Sequence, residues 1–512
     1  MPAEYIILLL PFNLLNFMVE KNHQYALALF SICCLGFAFR IYNINVSLWC
    51  DEMMQAVAAS AEWQDVFDIM TGYCSSPPLD YIIMKIVILC FGQADWVLRM
   101  PAVLFGIASI PVFYFFSRSL VEQKTALTAS ALLALSPFAI AYSQEARMYS
   151  IFLFLSLLSF IAALRLAEKN SFRHSMLLGI INGLLVLAHY FGIFVIAYEI
   201  IFFMAVVLYS GEKKRRIELL MISLLISFFF FLPWLPFLLS QLVTYGGKEL
   251  GYALNADSNF FKIFLSSFST DKSYLDGWAY SYLLIFLSSI VIAGYKKEKK
   301  ILFVALGVFL ILGTLFGLNF FKKMVTPRNA IFLLPLFLFI CAYGITSALN
   351  FFKINFKLSI AVSILLVLWP AVLYHRAGPK GHKQPWKEVS EYIRQHPAGK
   401  EKIFITDPVD RGFLAYYADP EATCSVMKKD WSVYKNDPSW KIWVIDEAVI
   451  TAMREKRFSG WVVAPSFLMG RTYNDYFFKN YRQLLSQLLG PPVKQFYNQA
   501  GPLQLFHVQA AP

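Results

Sequence analysis

The stretch Ser47-Leu48-Trp49-Cys50-Asp51-Glu52-Met53-Met54-Gln55 follows closely on the first long apolar run of the chain, 24–42. That run is long enough to cross a bilayer core, which takes about 20 apolar residues. Two adjacent carboxylates at its outer end therefore lie beside a membrane, where charge is costly unless it faces water, a partner or a substrate. Two readings of Asp51 and Glu52 follow. They contain a catalytic base facing a substrate, or they belong to a loop solvated above the headgroups.

Working outward, similar apolar runs recur at 101–118, 125–142, 149–166, 175–188, 191–210, 217–239, 279–295, 301–319, 329–349 and 356–374. With 24–42 they predict a polytopic α-helical membrane protein of about 11 spans. Residues 79–91 are also apolar, but short and interrupted by Lys85, and read as a juxtamembrane or partly inserted helix. The composition agrees: 58% of the 512 residues are hydrophobic and only 15% charged, more apolar side chain than a soluble core needs. A net charge of +12 in a soluble protein would suggest nucleic acid. Here much of it sits in short clusters between apolar runs, so it is a topology signal and no nucleic-acid partner is expected. The seven cysteines show no paired CxxC spacing. Cys50 and Cys74 share the first outer loop, and whether they pair stays open.

Five basic clusters set the orientation: Arg118 and Lys124; Arg165, Lys169 and Arg173; Lys213 to Arg216; Lys296, Lys297, Lys299 and Lys300; Lys353 and Lys357. With these spans all five fall on one side, which the positive-inside rule makes the cytoplasm. The loops 43–100 and 241–278 and the turn around Gln144 then share the outer side. Lys322-Lys323 lies there too, against the bias, as either an anion-binding pair or a minor irregularity. No cleavable signal peptide is clear in the first residues.

After Tyr374 the composition turns polar. Lys402–Thr406, Lys441–Asp446 and Gly460–Ala464 read as buried strands, Pro385–His396 and Tyr473–Leu489 as amphipathic helices. The expected division is a transmembrane domain over 1–374, with its outer loop 43–100, and a small α/β domain over 375–512 on the outer face.

Chemistry-bearing residues gather on the outer segments. Beyond Asp51 and Glu52 these are Ser76-Pro77-Pro78-Leu79-Asp80-Tyr81, Arg99-Met100-Pro101 with Gly106, Gln144-Glu145-Ala146-Arg147-Met148-Tyr149, His189-Tyr190 and Thr326-Pro327-Arg328-Asn329. Carboxylates and arginines on one membrane face suit transfer of a sugar from a polyprenyl phosphate. A carboxylate takes a proton from the acceptor. Cations stabilise the departing phosphate, where the planar fork of Arg serves better than Lys. The chain has no P-loop and no GxGxxG, and this chemistry needs no nucleotide.

These motifs, in this order over roughly residues 24–340, resemble the GT-C glycosyltransferases of the family-39 type. That group includes the protein O-mannosyltransferases and the lipid A aminoarabinose transferase. The resemblance implies an inverting transfer of a monosaccharide from a polyprenyl-phosphate donor to a glycan, lipid or protein acceptor on the outer face. It implies Asp51 as general base and Glu52 as a substrate-orienting acid. Glu145 takes a second acidic position, either in the reaction or paired with Arg147 or Arg99. Arg99 contacts phosphate or anchors the first loop; His189 and Tyr190 line the cavity or hold the turn; Lys322 and Arg328 are placed for the lipid phosphate. Asp80 is a candidate substituent for a missing ligand. Relatives often carry His, Glu or Lys before the double proline, where this chain has Ser76, so a divalent metal stays open. Many have Tyr after the last Arg, where this chain has Asn329. The expected location is the bacterial inner membrane, with the active site and the C-terminal domain periplasmic. A transporter or flippase of a lipid-linked saccharide would instead distribute polar residues through the spans and show an inverted repeat, and neither is seen. A ligase of lipid-linked saccharides is nearer in mechanism and remains an alternative.

Overall fold

A computed structural model describes residues 23–353 except 74–75, 209–211, 246–252 and 271–275. Beyond 353 it describes shorter segments, chiefly 385–396, 402–405, 442–444, 460–464, 491–498 and 501–508. In chain order the helices are α1 (His23–Ile41), α2 (Cys50–Ser60), α3 (Trp63–Tyr73), α4 (Leu79–Phe91), α5 (Asp95–Leu120), α6 (Gln123–Ala134), α7 (Pro137–Ser143), α8 (Tyr149–Lys169), α9 (Phe172–Ala188) and α10 (Gly192–Leu208). Then come α11 (Lys213–Phe231), α12 (Leu235–Tyr245), α13 (Asn259–Thr270), α14 (Asp276–Tyr295), α15 (Lys299–Phe321), α16 (Leu333–Phe351) and α17 (Trp386–Gln395). Five strands follow: β1 (Lys402–Ile405), β2 (Ile442–Val444), β3 (Gly460–Ala464), β4 (Lys494–Asn498) and β5 (Gly501–Val508).

The chain forms two compact units. The first takes in residues up to 42, 75–83 and 99–376; the second takes in 43–74, 84–98 and 377–512.

The first unit is helical and apolar. Among the described residues seven helices are long and apolar enough to cross a membrane, and the bent pair α6–α7 makes an eighth if it counts as one span. The shorter apolar helices α9 and α10 bring the tally to ten of the expected runs. The last, 356–374, lies almost wholly outside the described residues. α16 is buried nearly all round and forms the centre of the core, with α6 and α14 against it. Other helices turn large apolar side chains outward: Phe229, Leu284, Val291 and Phe320 are 62–71% exposed. Water would penalise such a surface, and bilayer hydrocarbon does not. Within the loop expected over 241–278 the chain builds α13, whose Phe260, Phe264 and Phe268, spaced four apart, are buried.

The α6–α7 break has a local cause. Pro137 carries no N–H, so the carbonyl of Leu133 loses its partner four residues on. Ser136 caps the new helix by accepting from Ala139 N at 3.3 Å, and the axis turns by 55°. Arg40, fully buried at the end of α1, meets the carbonyls the break leaves. Its guanidinium donates to Ala134 O at 2.8 Å and Leu133 O at 3.4 Å, and to Ser143 Oγ at 3.1 Å.

The second unit joins the first loop to the C-terminal segment around one sheet, in the order β2-β1-β3-β5-β4. β2, β1 and β3 are parallel, and β5 and β4 close the edge as an antiparallel hairpin. The first three fall within the predicted strands, as far as the described residues reach; the hairpin went unread. α17 presents Trp386, Val389 and Ile393 to the core as its spacing predicts. The helix expected over Tyr473–Leu489 lies largely outside the described residues. α4 is 13 residues long, too short to span, and Lys85 explains why the run is interrupted. Its ammonium donates to Ala61 O at 2.5 Å and Ala59 O at 3.4 Å, at the C-terminal end of α2, where a helix favours positive charge.

Candidate active site

Asp51 and Glu52 occupy the first turn of α2, in the second unit, where a helix favours negative charge. They are not equivalent. Glu52 is fully buried, and its Oε2 accepts from the backbone N–H of Trp49 at 3.2 Å, closing the helix start. Asp51 is only half-buried. The segment carrying them is fastened to residues far away in sequence. Leu48 N donates to the Tyr417 hydroxyl at 2.6 Å, which in turn donates to Asp95 Oδ1 at 3.2 Å. Lys387 pairs with Asp95 at 3.5 Å, and its backbone N–H donates to Ser47 Oγ at 3.1 Å. Ser47 donates to Glu388 at 3.2 Å. Asp95 is buried beneath this network and, like Tyr417, was invisible to sequence reasoning, since each is a lone residue with no motif around it.

The first unit gathers a second group. Gln144 donates through its side-chain amide to the carbonyls of Phe39, Arg40 and Tyr42 at 3.2, 3.2 and 2.8 Å, capping the end of α1. Gly106 of α5 lies so close to Ser143 that a Cβ there would collide with its side chain. Two residues of the recognised motifs thus fix where Glu145 and Arg147 emerge. Glu145 is buried, Arg147 half-buried.

Arg328 enters from the far side of the sequence, on the 3-10 turn Pro327–Ala330. Its guanidinium carbon stands 5.7 Å from the Tyr149 ring centre, a cation–π distance. The Tyr149 and His189 rings are 6.2 Å apart, and His189 stacks on Phe152 at 4.7 Å. His189 Nδ1 accepts from Phe191 N at 3.1 Å, which puts the proton of a neutral ring on Nε2. Burial, then Arg147, then Arg328 push this imidazole down to about 3, against a hydrogen bond with Asn329 that works the other way. His189 is therefore neutral at physiological pH, and two guanidiniums act on it. Asn329 also donates to Met324 O at 3.3 Å and so shapes the turn. Asn319 accepts from Met324 N and Val325 N at 3.0 and 3.1 Å, bracing the stretch that carries half-buried Lys322 and Lys323.

The remaining candidates are placed as follows. Tyr190 donates to Gln241 at 2.5 Å and accepts from Trp234 Nε1 at 2.9 Å; Gln241 reaches Ser76 O at 3.4 Å. This chain braces the double-proline turn. Asp80, next along, is buried, and Arg99 is fully buried in α5. Among the described residues no three His, Cys, Asp or Glu side chains gather as a metal site. Cys74 lies outside the described residues, and the question of its pairing with Cys50 goes with it.

The family model described as dolichyl-phosphate-mannose-protein mannosyltransferase matches residues 75–237, a segment holding Arg99, Glu145, Arg147, His189 and Tyr190 but neither Asp51 nor Arg328. No curated protein matches the chain by sequence. Among solved structures, ArnT from Cupriavidus metallidurans, known in the apo state and bound to undecaprenyl phosphate, aligns over 95% of this chain and 98% of its own. Its TM-score is 0.57 at 10% identity. The archaeal oligosaccharyltransferase AglB from Archaeoglobus fulgidus aligns over 87% of this chain and 70% of its own, with a TM-score of 0.54 at 12% identity. At such identities the likeness speaks for the fold. With the matched segment inside it, this integral membrane chain is similar to the GT-C glycosyltransferases, as its ordered motifs foretold.

Proposed function

We propose that the protein transfers a monosaccharide from a polyprenyl-phosphate donor to an acceptor on the outer face of the membrane, with inversion. The observation that carries this reading is the meeting of Arg147 and Arg328 around Tyr149 and neutral His189. Two cations held 181 positions apart in sequence suit a phosphate, whose charge grows as the sugar leaves. The matched segment and the undecaprenyl phosphate bound by ArnT support a lipid-linked donor.

Asp51 is the general base: half-exposed, where Glu52 is buried and occupied with the helix start. It takes the acceptor's proton as the acceptor oxygen attacks the anomeric carbon. The bond from that carbon to the phosphate oxygen breaks, and polyprenyl phosphate departs with the electron pair. Glu52, Glu145, Asp80, Arg99, Tyr190 and Lys322 shape or hold this apparatus. In a bacterial cell the face concerned is the periplasmic face of the inner membrane, and undecaprenyl phosphate is the expected carrier.

The test is turnover by purified protein supplied with polyprenyl-phosphate monosaccharides, read as release of polyprenyl phosphate. Asp51→Asn keeps size but cannot accept a proton near neutrality, and should lose ~10²–10⁴-fold with melting unchanged. Glu52→Gln should instead melt earlier and keep much of the rate. Near-normal turnover by Asp51→Asn sinks the assignment. Transfer only from an oligosaccharide-linked donor would move the reading toward the ligase.

A further inference from the structure

A cavity opens in the first unit, lined by α5, α8, α10 and α15, with a volume of about 520 Å³. Its walls are apolar, formed mainly by Phe116, Phe160, Phe202 and Phe303, and its mouth carries Lys299 and Lys300. These lysines begin α15, and Arg328 follows its other end. The 23 residues of α15 put roughly 33 Å between the two ends. The cavity is therefore remote from the arginine pair that the proposed transfer uses. Its depth runs along α10 from Val206 to Tyr198, about 12 Å of helix. Tyr198 lies against Gly307, where any Cβ would collide with its ring, so the glycine makes room for this floor.

Glu199 is the acid in the wall. It is buried, and both its oxygens are already engaged: Asn182 Nδ2 donates to Oε2 at 2.7 Å, and Ser159 bonds Oε1. A ligand need bring no donor to satisfy it. What the site asks for is hydrocarbon inside and an anion at the mouth.

We infer that this cavity binds an anionic phospholipid of the surrounding bilayer, its acyl chain among the four phenylalanines and its phosphate at Lys299 and Lys300. Charge complementarity selects the headgroup: two exposed ammonium groups crown an apolar slot at one end of a membrane-spanning helix. Each lysine beside a lipid of net negative charge contributes about 1 kcal/mol, so the pair favours an anionic over a zwitterionic headgroup by roughly thirtyfold.

The experiment uses the full chain, solubilised from membranes containing phosphatidylglycerol and phosphatidylethanolamine, with retained lipid quantified by mass spectrometry. Wild type should retain phosphatidylglycerol far above its membrane proportion. Lys299→Gln with Lys300→Gln should lose that enrichment by roughly thirtyfold. Both lysines are exposed, so the variant should fold. Ala163→Trp fills the slot and should abolish retention of any lipid there; its melting and monodispersity show whether it has folded. If Ala163→Trp fails to fold, the glutamine variant alone decides. Retention in membrane proportion, enrichment unchanged in the glutamine variant, or polyprenyl phosphate as the retained lipid would each overturn the inference.

Discussion

Arg328 and His189 show how a residue gains meaning from neighbours far off in sequence. Arg328 was legible from Pro327-Arg328 alone. Its seat over Tyr149 was not, because nothing local says that the turn after α15 reaches the turn before α8. Arg328→Ala should raise the donor concentration needed for half-maximal rate more than it lowers melting temperature. Arg328→Lys should recover only part, since a point charge replaces a planar fork. Donor titrations on purified variants check this, and a variant with wild-type titration but early melting would leave only an anchoring role. His189 gives a pH prediction. Its folded value, about 3, is depressed from the usual 6.5, so the neutral form is the one the fold favours. That contribution is complete above pH 6.5 and is lost as pH falls from 6.5 toward 3. His189→Asn keeps an acceptor for Phe191 N but does not titrate. Its melting temperature should therefore fall less than wild type between pH 6.5 and 4.

Elements were legible where a period marked them. The apolar runs, the parallel strands and the spacing of α17 all declared themselves, because burial on one face or on all faces leaves a pattern. Three features did not. α13 sat in a stretch read as loop, although its phenylalanines recur every four residues. The β4–β5 hairpin turns at Asn498 and Gly501 without a strong alternating pattern. Arg40 stands at the end of a span with no motif around it; only the Pro137 break, nearly a hundred residues on, explains its burial. Arg40→Met should therefore destabilise the protein, since it keeps the apolar stem but leaves the Ala134 carbonyl without its donor, whereas Leu133 O keeps the N–H of Ser136. The cost should be about 1–3 kcal/mol, read as a lower melting temperature in detergent. A melt like wild type would mean that water or another donor serves that carbonyl.

At the scale of the whole molecule the open quantity is the number of crossings. Residues 23–353 supply ten if the bent pair α6–α7 crosses once and α4 does not cross. Counting in order, the five basic clusters then follow the second, fourth, sixth, eighth and tenth crossings, so all face one side. Were α6–α7 a re-entrant loop, the Arg118–Lys124 cluster would face away from the other four, against the positive-inside bias. The bias thus favours a kinked but complete span, with Arg40 supplying the donors that make a broken helix tolerable in hydrocarbon. The further crossing expected over 356–374 would place the C-terminal segment opposite the clusters, outside the cytoplasm. A reporter active only in the cytoplasm should be silent after Pro512 and bright in the Lys213–Arg216 loop. Brightness after Pro512 with brightness at Lys213–Arg216 would remove the crossing at 356–374. Silence at Lys213–Arg216 would place the error earlier, at α4 or the bent pair; either change puts that loop on the same side as the proposed base, outside the cytoplasm.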